Sequence, residues 1–151
     1  MGIRLGAGVM DRPAAWERFR AQRIARLATV SADGRPHLVP VTFAAEPREP
    51  DDAVVVIAVD HKPKTTTALR RLRNIAENER VSLLADEYDE DWTRLWWVRS
   101  DGVARVLTAG PQHRIAIDWL TTKYEQYRRI PPAGPVIRIE IDAIRGWAYS
   151  G

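Results

Sequence analysis

The sequence contains no cysteine, and this absence excludes disulfide frameworks, thiolate nucleophiles and cysteine-based zinc sites. Long hydrophobic stretches are also missing. The longest unbroken apolar run covers residues 53–59, far short of the roughly 20 residues that cross a bilayer. The N-terminus has no secretory signal pattern. We therefore expect a cytoplasmic protein with no membrane segment.

Lysine is scarce: the 23 basic residues comprise 20 arginines and three lysines, against 20 acidic residues. Two of the three lysines fall in one tetrapeptide, His61-Lys62-Pro63-Lys64. The net charge of +3 is distributed in blocks, with seven basic and three acidic residues among the first 45. This pattern does not form the uniform basic coat of a nucleic-acid-binding protein, so we expect no nucleic-acid partner.

A chain of 151 residues is long enough for one hydrophobic core. Its glycine-rich start predicts a disordered or extended N-terminus over residues 1–12, with an alternative translation start at Met10. Residues 13–151 are expected to form a single domain. The first element of that domain is a predicted amphipathic helix over residues 16–25.

Two β-rich runs, residues 25–31 and 37–43, flank the dipeptide Asp33-Gly34, a typical hairpin turn. Pro40 interrupts the second run. Because proline has no N–H for a sheet ladder, this strand is expected at an edge or a bulge. Backbone groups near Pro40 are then free to meet a ligand.

Residues 53–59 are apolar throughout, which is typical of a strand covered on both faces, and we expect it at the centre of the sheet. A helix that begins at one of three threonines is predicted next. Its solvent-facing side is expected to carry three arginines: Arg70, Arg71 and Arg73. A further strand is predicted over residues 80–85.

A second Asp-Gly pair, Asp101-Gly102, predicts another hairpin, between strands at 95–100 and 103–107. Side-chain alternation puts Trp97 and Val106 on one of its faces and Trp96 on the other. Both faces are therefore apolar. The remaining sequence predicts a long helix over 112–129, which a Pro-Pro pair ends, and a closing strand over 136–141.

These elements amount to about six strands and two to three helices, an α+β protein that is mainly antiparallel β. We expect a small barrel, because the alternating pattern of a parallel sheet is missing. The strand at 53–59 and the Trp96/Trp97 hairpin are apolar on both faces. A single barrel cannot bury all of this apolar surface. A twofold partner is the simplest cover, so we expect a homodimer.

No evident catalytic set is present. His37, His61 and His113 lack close ligand spacing, and no nucleophile-elbow, P-loop or dinucleotide-binding pattern occurs. The acidic residues between positions 86 and 91 lack the glycine and the spacing of a calcium loop. We expect no metal site and assign no catalytic residue.

The tetrapeptide at 61–64 is the best candidate for a ligand site, because it joins a buried strand to the start of a helix. Free N–H groups and the positive end of the helix dipole favour an anion there, and Lys62 and Lys64 supply compact charges that suit a phosphate. Pro63 stiffens the segment. The alternative is a solvated turn with no ligand.

Trp97 and Arg99 share one strand face and form a second candidate site. Stacking on a planar ring and packing at a subunit interface are both compatible with this pair. For Trp16, Trp119 and Trp147 we expect core packing.

Several segments carry a family resemblance. The run at 27–41, Leu-Ala-Thr-Val-Ser-Ala-Asp-Gly-Arg-Pro-His-Leu-Val-Pro-Val, resembles the opening hairpin of the pyridoxamine-phosphate-oxidase-like split-barrel family. Asp-His-Lys-Pro-Lys at 60–64, Asn74-Ile75 and the Trp-rich segment at 91–102 are similar to its deazaflavin-dependent branch, whose members use coenzyme F420. The similarity extends from about residue 14 to residue 147.

The resemblance implies a six-stranded split β-barrel that forms a homodimer with cofactor sites at the subunit interface. It assigns the cofactor phosphate to Lys62, Pro63, Lys64 and Thr65. It places the ring along Pro40, Val41 and Thr42, and it brings Trp97 and Arg99 to the ring from the fifth strand. The reduced set of basic residues in the Lys-Pro-Lys segment favours F420 over flavin mononucleotide (FMN), which remains the alternative cofactor.

The expected function is an F420H2-dependent reductase that transfers a hydride to an unsaturated or quinone-like small molecule. Such a reaction needs no nucleophile, and its proton is expected from water or from a hydroxyl such as Thr42 or Tyr88. Two alternatives stay open: an FMN-binding oxidase or reductase, and a non-catalytic cofactor or haem-binding module. In a haem-binding module the iron ligand would be His37, His61 or His113.

Overall fold

Seven antiparallel strands form one sheet in the computed structural model, which describes residues 8–45, 53–59 and 66–149. The strands are β1 (Ala25–Val30), β2 (Pro36–Val41), β3 (Ala44–Ala45), β4 (Val54–Ala58), β5 (Arg80–Glu87), β6 (Trp96–Leu107) and β7 (Val136–Ala148). The helices are α1 (Arg12–Arg20), α2 (Thr66–Glu77), α3 (Pro111–Lys123) and α4 (Glu125–Arg129). None of the helices in this part of the chain is long and apolar enough to cross a membrane.

The strand order is β2-β1-β5-β6-β7-β4-β3, so β2 and β3 are the two edges of the sheet. Only Thr42 and Phe43 separate these edges along the chain. A flat sheet of this size holds its edges about 29 Å apart, at roughly 4.8 Å per strand. Three peptide steps span at most about 11 Å. The sheet therefore curls until its edges meet, as a barrel does.

This architecture confirms the predicted class, a mainly antiparallel α+β barrel. The prediction of six strands missed β3, whose two residues pair with β4. The prediction of two to three helices missed one, because the long helix expected at 112–129 breaks at Tyr124, where the backbone is extended with φ −115° and ψ 123°. The closing strand is also longer than predicted and runs to Ala148.

The first predicted hairpin is confirmed. β1 and β2 pair from Ala25 with Val41 to Val30 with Pro36. Gly34 takes a φ of 85° in the turn, a conformation that glycine adopts without steric cost. Its N–H donates to the Ser31 carbonyl oxygen at 3.0 Å. As expected from Pro40, β2 is an edge strand.

The second predicted hairpin is wrong, because β6 continues as one strand through Asp101 and Gly102. The Asp-Gly pair forms an irregularity in the β6–β7 register. A Cβ on Gly102 would lie 2.2 Å from the Glu140 carbonyl oxygen, so close strand packing requires glycine here. As a result Val106 packs against the same core as Trp96, and not beside Trp97 as predicted.

Strand β4 is buried on both faces, as predicted. Val55 and Ile57 enter the main core, while Val54 and Val56 pack with Leu120 and its neighbours on α3. The strand is not central, since only β3 separates it from the sheet edge. Because α3 covers its outer face, this face does not require a partner subunit, contrary to the sequence-based expectation.

The N-terminal helix begins at Arg12, earlier than its predicted start at residue 16, because Asp11 caps it. The Asp11 Oδ1 accepts a hydrogen bond of 2.8 Å from the Ala14 N–H. Residues 8–10 lie along β7, and the Met10 N–H donates to the Gly146 carbonyl oxygen at 2.9 Å. Helix α1 buries Trp16 and Phe19 in the main core.

The connection between β2 and β3 is held by Tyr124, the residue at the α3–α4 break. Its hydroxyl accepts a hydrogen bond of 3.1 Å from the Phe43 N–H. The Tyr124 hydroxyl also donates its hydrogen to the carbonyl oxygens of Phe43 and Arg23, which lie 2.8 and 2.7 Å from the hydroxyl oxygen. The barrel seam, the α1–β1 loop and α3 are therefore joined through one phenol.

Lys123 reinforces the same connection. Its Nζ donates to the carbonyl oxygens of Arg20 and Gln22 at 3.1 and 2.6 Å. It also lies 3.9 Å from the centroid of the Phe43 ring, a cation–π distance. Burial, followed by the charges of Arg23 and Arg20, lowers the pKa of Lys123 to about 8.

We predict that Tyr124→Phe lowers the free energy of unfolding by about 1–3 kcal/mol, because the Phe43 peptide group loses its partner inside the fold. Urea unfolding followed by tryptophan fluorescence measures the change. The matched control is Tyr149→Phe, which removes a hydroxyl from an exposed side chain. Equal midpoints for the two variants would show that the phenol does not stabilise the connection.

Candidate functional site

A cavity of about 440 Å³ opens at the barrel seam, between the end of β2 and the end of β4. It exists because β3 is too short to bridge the two strands along their whole length. The walls come from both strands, a roof from α4 and the segment after it, and one side from α2. The lining residues are Pro40, Val41, Thr42, Ile57, Ala58, Val59, Arg71, Tyr127, Ile130, Pro131, Pro132 and Ala133.

Three of the predicted cofactor residues line this cavity together: Pro40, Val41 and Thr42. Val41 is buried, Thr42 is half-buried and Pro40 is exposed. Since β2 pairs only with β1, its other edge faces the cavity. A planar ligand would meet free backbone groups here.

The predicted phosphate residues, Lys62, Pro63, Lys64 and Thr65, lie outside the described residues, as does His61. The structure describes the residues on either side of this segment. Val59, which precedes it, lines the cavity, and helix α2, which begins at Thr66 after it, places Arg71 in the cavity wall. The Lys-Pro-Lys segment thus connects two elements that line the same cavity.

Arg71 is not on the solvent side of α2, as the sequence predicted, but half-buried in the cavity wall. Its Nε atom is buried and has no hydrogen-bond partner among the described residues. Burial lowers the pKa of the guanidinium. A buried donor without a partner is costly, so the site favours an anionic ligand that supplies one. Its position four residues before Ile75 is the signal that could have placed Arg71 on the buried face.

His37 also faces α2, from β2. Its Nδ1 is buried without a partner in the described part of the chain. Burial first, and then the charges of Arg70 and Arg71, lower the pKa of His37 below its usual value of 6.5. These effects favour the neutral form of the imidazole.

The other described histidine, His113, forms a 3.0 Å hydrogen bond between its Nε2 and the Gly134 carbonyl oxygen. Across residues 8–45, 53–59 and 66–149, no three histidine, aspartate or glutamate side chains lie together as a metal site requires. Of the acidic residues at positions 86–91, Asp86 and Glu87 end β5, and the others lie in the loop that leads to the 3-10 turn Trp92–Arg94.

Tyr127 is a cavity residue that the sequence analysis did not single out. Its hydroxyl lies 2.8 Å from the Thr42 Oγ1, within hydrogen-bond distance. Tyr124, one turn earlier, contacts the Tyr127 ring edge-to-face at 5.5 Å. The spacing of the two tyrosines just before the Pro-Pro pair was the available signal, but only the break in the helix turns Tyr127 over the seam.

Trp97 and Arg99 do not line the seam cavity. They lie in a separate groove of about 500 Å³ on the outer face of β1, β2, β5 and β6. Arg99 is exposed and pairs with Asp101 at 3.3 Å. We call this groove the outer groove; its apolar lining includes Ala28, Leu38, Leu84, Tyr88 and Trp97. Within one subunit the structure separates these two predicted residues from Pro40, Val41 and Thr42.

The known proteins that are similar to this chain include one curated enzyme and two solved structures. The 5a,11a-dehydrotetracycline/5a,11a-dehydrooxytetracycline reductase of Streptomyces rimosus is 36% identical over 99 residues, which are 64% of this chain and 63% of the reductase. The structure of an FAD-binding protein from Mesorhizobium loti superposes with a TM-score of 0.68 at 22% identity, covering 91% of this chain and 94% of that one. The haem storage protein HutZ of Vibrio cholerae gives a TM-score of 0.66 at 18% identity, covering 94% and 100%.

The two solved structures establish the shared fold. The family described as pyridoxamine 5'-phosphate oxidase matches residues 12–148, from the start of α1 to the end of β7. The resemblance noted in the sequence is thereby confirmed at the level of the family. The chain belongs to the pyridoxamine 5'-phosphate oxidase family.

Proposed function

We propose that this protein is a reductase that binds the deazaflavin coenzyme F420 at the barrel seam and reduces an unsaturated or quinone-like small molecule. The observation that carries the proposal is the seam cavity, where the buried Nε of Arg71 has no hydrogen-bond partner among the described residues. Along the chain, Lys62 and Lys64 fall between Val59 and Arg71, which both line this cavity. The name of the Streptomyces relative supports a reductase, and the family name supports redox chemistry.

The cavity residues suit a molecule with a flat ring and an anionic end. Val41, Ile57 and Pro131 offer apolar surface for the ring, while Arg71 offers charge on the α2 side. Lys62, Lys64 and Thr65, ahead of the α2 N-terminus, would hold the phosphate, and Pro63 would restrict their segment. Charge-assisted hydrogen bonds and the helix dipole both favour an anion there.

When bound, the reduced coenzyme supplies a hydride from its ring carbon. The chain's own residues bind the ring between the two strands, orient the acceptor against it and exclude water. Roof residues Ile130, Pro131 and Pro132 cover the cavity from the side opposite the strands. This chemistry requires no nucleophile, which agrees with the lack of a catalytic triad pattern in the sequence.

Flavin and haem remain rival ligands on specific grounds. Arg71 adds a third positive charge to those of Lys62 and Lys64, and a more positive site suits the terminal phosphate of FMN. One structural neighbour is also named for FAD binding. The surroundings of His37 favour its neutral form, and its Nδ1 has no partner among the described residues, as suits an iron ligand; another neighbour is named for haem storage. The cofactor experiment separates all three.

The cofactor prediction is tested by titrating the purified protein with F420, FMN and haem while following tryptophan fluorescence. We expect micromolar or tighter binding of F420 and none of FMN. Lys62→Ala with Lys64→Ala should weaken F420 by at least tenfold, since each charged hydrogen bond contributes about 1.5–3 kcal/mol. Arg71→Met should weaken F420 as well.

The control for Arg71→Met is Arg114→Met, an exposed arginine on α3 that does not line the cavity. It should leave the affinity unchanged. Tighter binding of FMN than of F420 would overturn the choice of coenzyme. An affinity within twofold of wild type for the double lysine variant would overturn the phosphate site.

A turnover assay separates an enzyme from a cofactor carrier. We expect oxidation of F420H2, followed by the coenzyme's absorbance, to accelerate when enones, quinones or dehydrotetracycline-type compounds are added. The last class is chosen from the name of the Streptomyces relative. Tight coenzyme binding with no acceleration by any acceptor would identify a carrier.

We also propose that a second copy of the chain covers the outer groove. Helix α3 covers β3, β4 and β7 from outside, whereas Leu38, Leu84 and Tyr88 stay exposed at 67%, 37% and 65%. A twofold axis would cover the same apolar surface on both copies. In such a dimer Trp97 and Arg99 could contact the cofactor bound to the other subunit, because they do not line the seam cavity of their own subunit.

Leu38→Glu should convert the dimer to a monomer, because it puts two charges into a buried twofold interface. Size-exclusion chromatography with light scattering measures the mass. The control is Ile115→Glu, a similarly exposed aliphatic residue on α3, which should remain dimeric. A wild-type monomer at micromolar concentration, or a dimeric Leu38→Glu variant, would contradict the proposed interface.

A further inference from the structure

We propose that Tyr127, hydrogen-bonded to Thr42, donates the proton that completes the reduction of the acceptor. This inference rests on the proposed function, because it assigns a role within the same cavity. It goes further by naming the acid and the class of acceptor: a carbon–carbon double bond conjugated to a carbonyl group.

The cavity wall contains few groups that could donate a proton. Of the lining residues, nine have side chains without a polar atom, and three are polar: Thr42, Arg71 and Tyr127. A guanidinium keeps its protons under all ordinary conditions, so Arg71 cannot serve as a general acid. Among the described lining residues, this leaves the hydroxyl pair of Thr42 and Tyr127 as the groups that can donate a proton.

The Thr42–Tyr127 pair has one hydrogen more than its shared bond uses. The two hydroxyl oxygens are 2.8 Å apart, and either can donate to the other. One hydrogen occupies the shared bond, and one hydrogen is left over. The pair thus always keeps one O–H available for a further acceptor, and a carbonyl oxygen in the cavity is such an acceptor.

Acidity decides which oxygen gives up the proton. A phenol is a stronger acid than an aliphatic alcohol, so Tyr127 is the donor. When Tyr127 points its hydrogen at the acceptor, Thr42 donates to the phenol oxygen. That bond stabilises the phenolate that forms as the proton leaves. Thr42 is accordingly the positioning residue.

The structure also fixes the phenol in place. Tyr124 packs edge-to-face against the Tyr127 ring and is itself bonded to the Phe43 peptide group. Arg128 donates to the Thr121 and Thr122 carbonyl oxygens at 2.9 Å, which ties α4 to the end of α3. A rigidly held acid needs little rearrangement during the reaction.

A hydride from F420H2 forms a C–H bond at the far carbon of the double bond, and the π electrons move onto the carbonyl oxygen as an enolate. The O–H bond of Tyr127 breaks and its proton goes to the enolate. The phenolate then takes a proton from water. The acceptor gains two electrons and two hydrogens, and the coenzyme is oxidised by two electrons and releases one proton to solvent.

The test compares Tyr127→Phe with wild type and with the control Tyr149→Phe. Tyr127→Phe should keep its F420 affinity within twofold, by fluorescence titration, and lose at least 100-fold in kcat for a cyclic enone, as expected for removal of a general acid. Added imidazolium buffer should restore part of that rate in Tyr127→Phe but not change the control.

A binding measurement checks the same bond without turnover. Nitrophenolate carries an oxyanion in place of the enolate oxygen, and its visible absorption shifts when it accepts a hydrogen bond. The F420-bound wild type should bind it about tenfold more tightly than F420-bound Tyr127→Phe. Should Tyr127→Phe prove unstable, Thr42→Val provides the second variant: it should lose about tenfold in kcat, and Thr42→Ser should recover it.

The outcomes are distinct. A Tyr127→Phe enzyme that binds F420 and turns over within twofold of wild type overturns the proton donor and leaves the proposed function intact. Loss of F420 affinity in Tyr127→Phe also overturns it, since the phenol would then be a cofactor-binding group. Failure of the wild type to bind F420 overturns the proposed function itself.

Discussion

The fold depends on one short connection. Thr42 and Phe43 join the two opposite edges of a seven-stranded sheet, and a link of this length forces the sheet to curl into a barrel. Phe43 anchors the link in the core, and the Tyr124 hydroxyl satisfies its peptide N–H. Every other feature of the site follows from where this connection lies, because the two strands that it joins cannot pair with one another beyond it.

An imperfectly closed barrel leaves unpaired backbone and empty space at the same place. Pro40 lacks a donor, and β3 is two residues long, so β2 and β4 separate into the walls of a cavity. The helix break at Tyr124 then turns α4 and the proline-rich segment after it over the opening. Arg71 gives one side of this otherwise apolar space a positive charge. The gap in the hydrogen-bonded sheet and the candidate binding site are thus one feature.

Local patterns predicted much of this fold but not the contacts that assemble the site. Asp33-Gly34 gave a hairpin, because its flanking strands are adjacent and the turn decides their geometry. Asp101-Gly102 has the same two residues but lies inside β6, opposite a register shift in β7. Glycine is required there because the Glu140 carbonyl oxygen of a strand distant in sequence lies where a Cβ would be. The burial of Arg71 and the bond from Tyr127 to Thr42 depend likewise on packing between distant elements. Pro40 is the exception, since its missing N–H constrains any fold that contains it.

Under the proposed function the cavity divides its tasks between parts of the chain that can change independently. The strands β2 and β4 belong to the barrel core, so the surface offered to the coenzyme ring is fixed by the packing of Val41 and Ile57. The roof, by contrast, is a five-residue helix followed by exposed Ile130 and a proline pair, joined to the core mainly through Tyr124 and Tyr127. Substitutions at Ile130 or Ala133 alter the space above the ring without touching either strand. The roof therefore determines which acceptors fit, while the barrel strands hold the ring of the coenzyme.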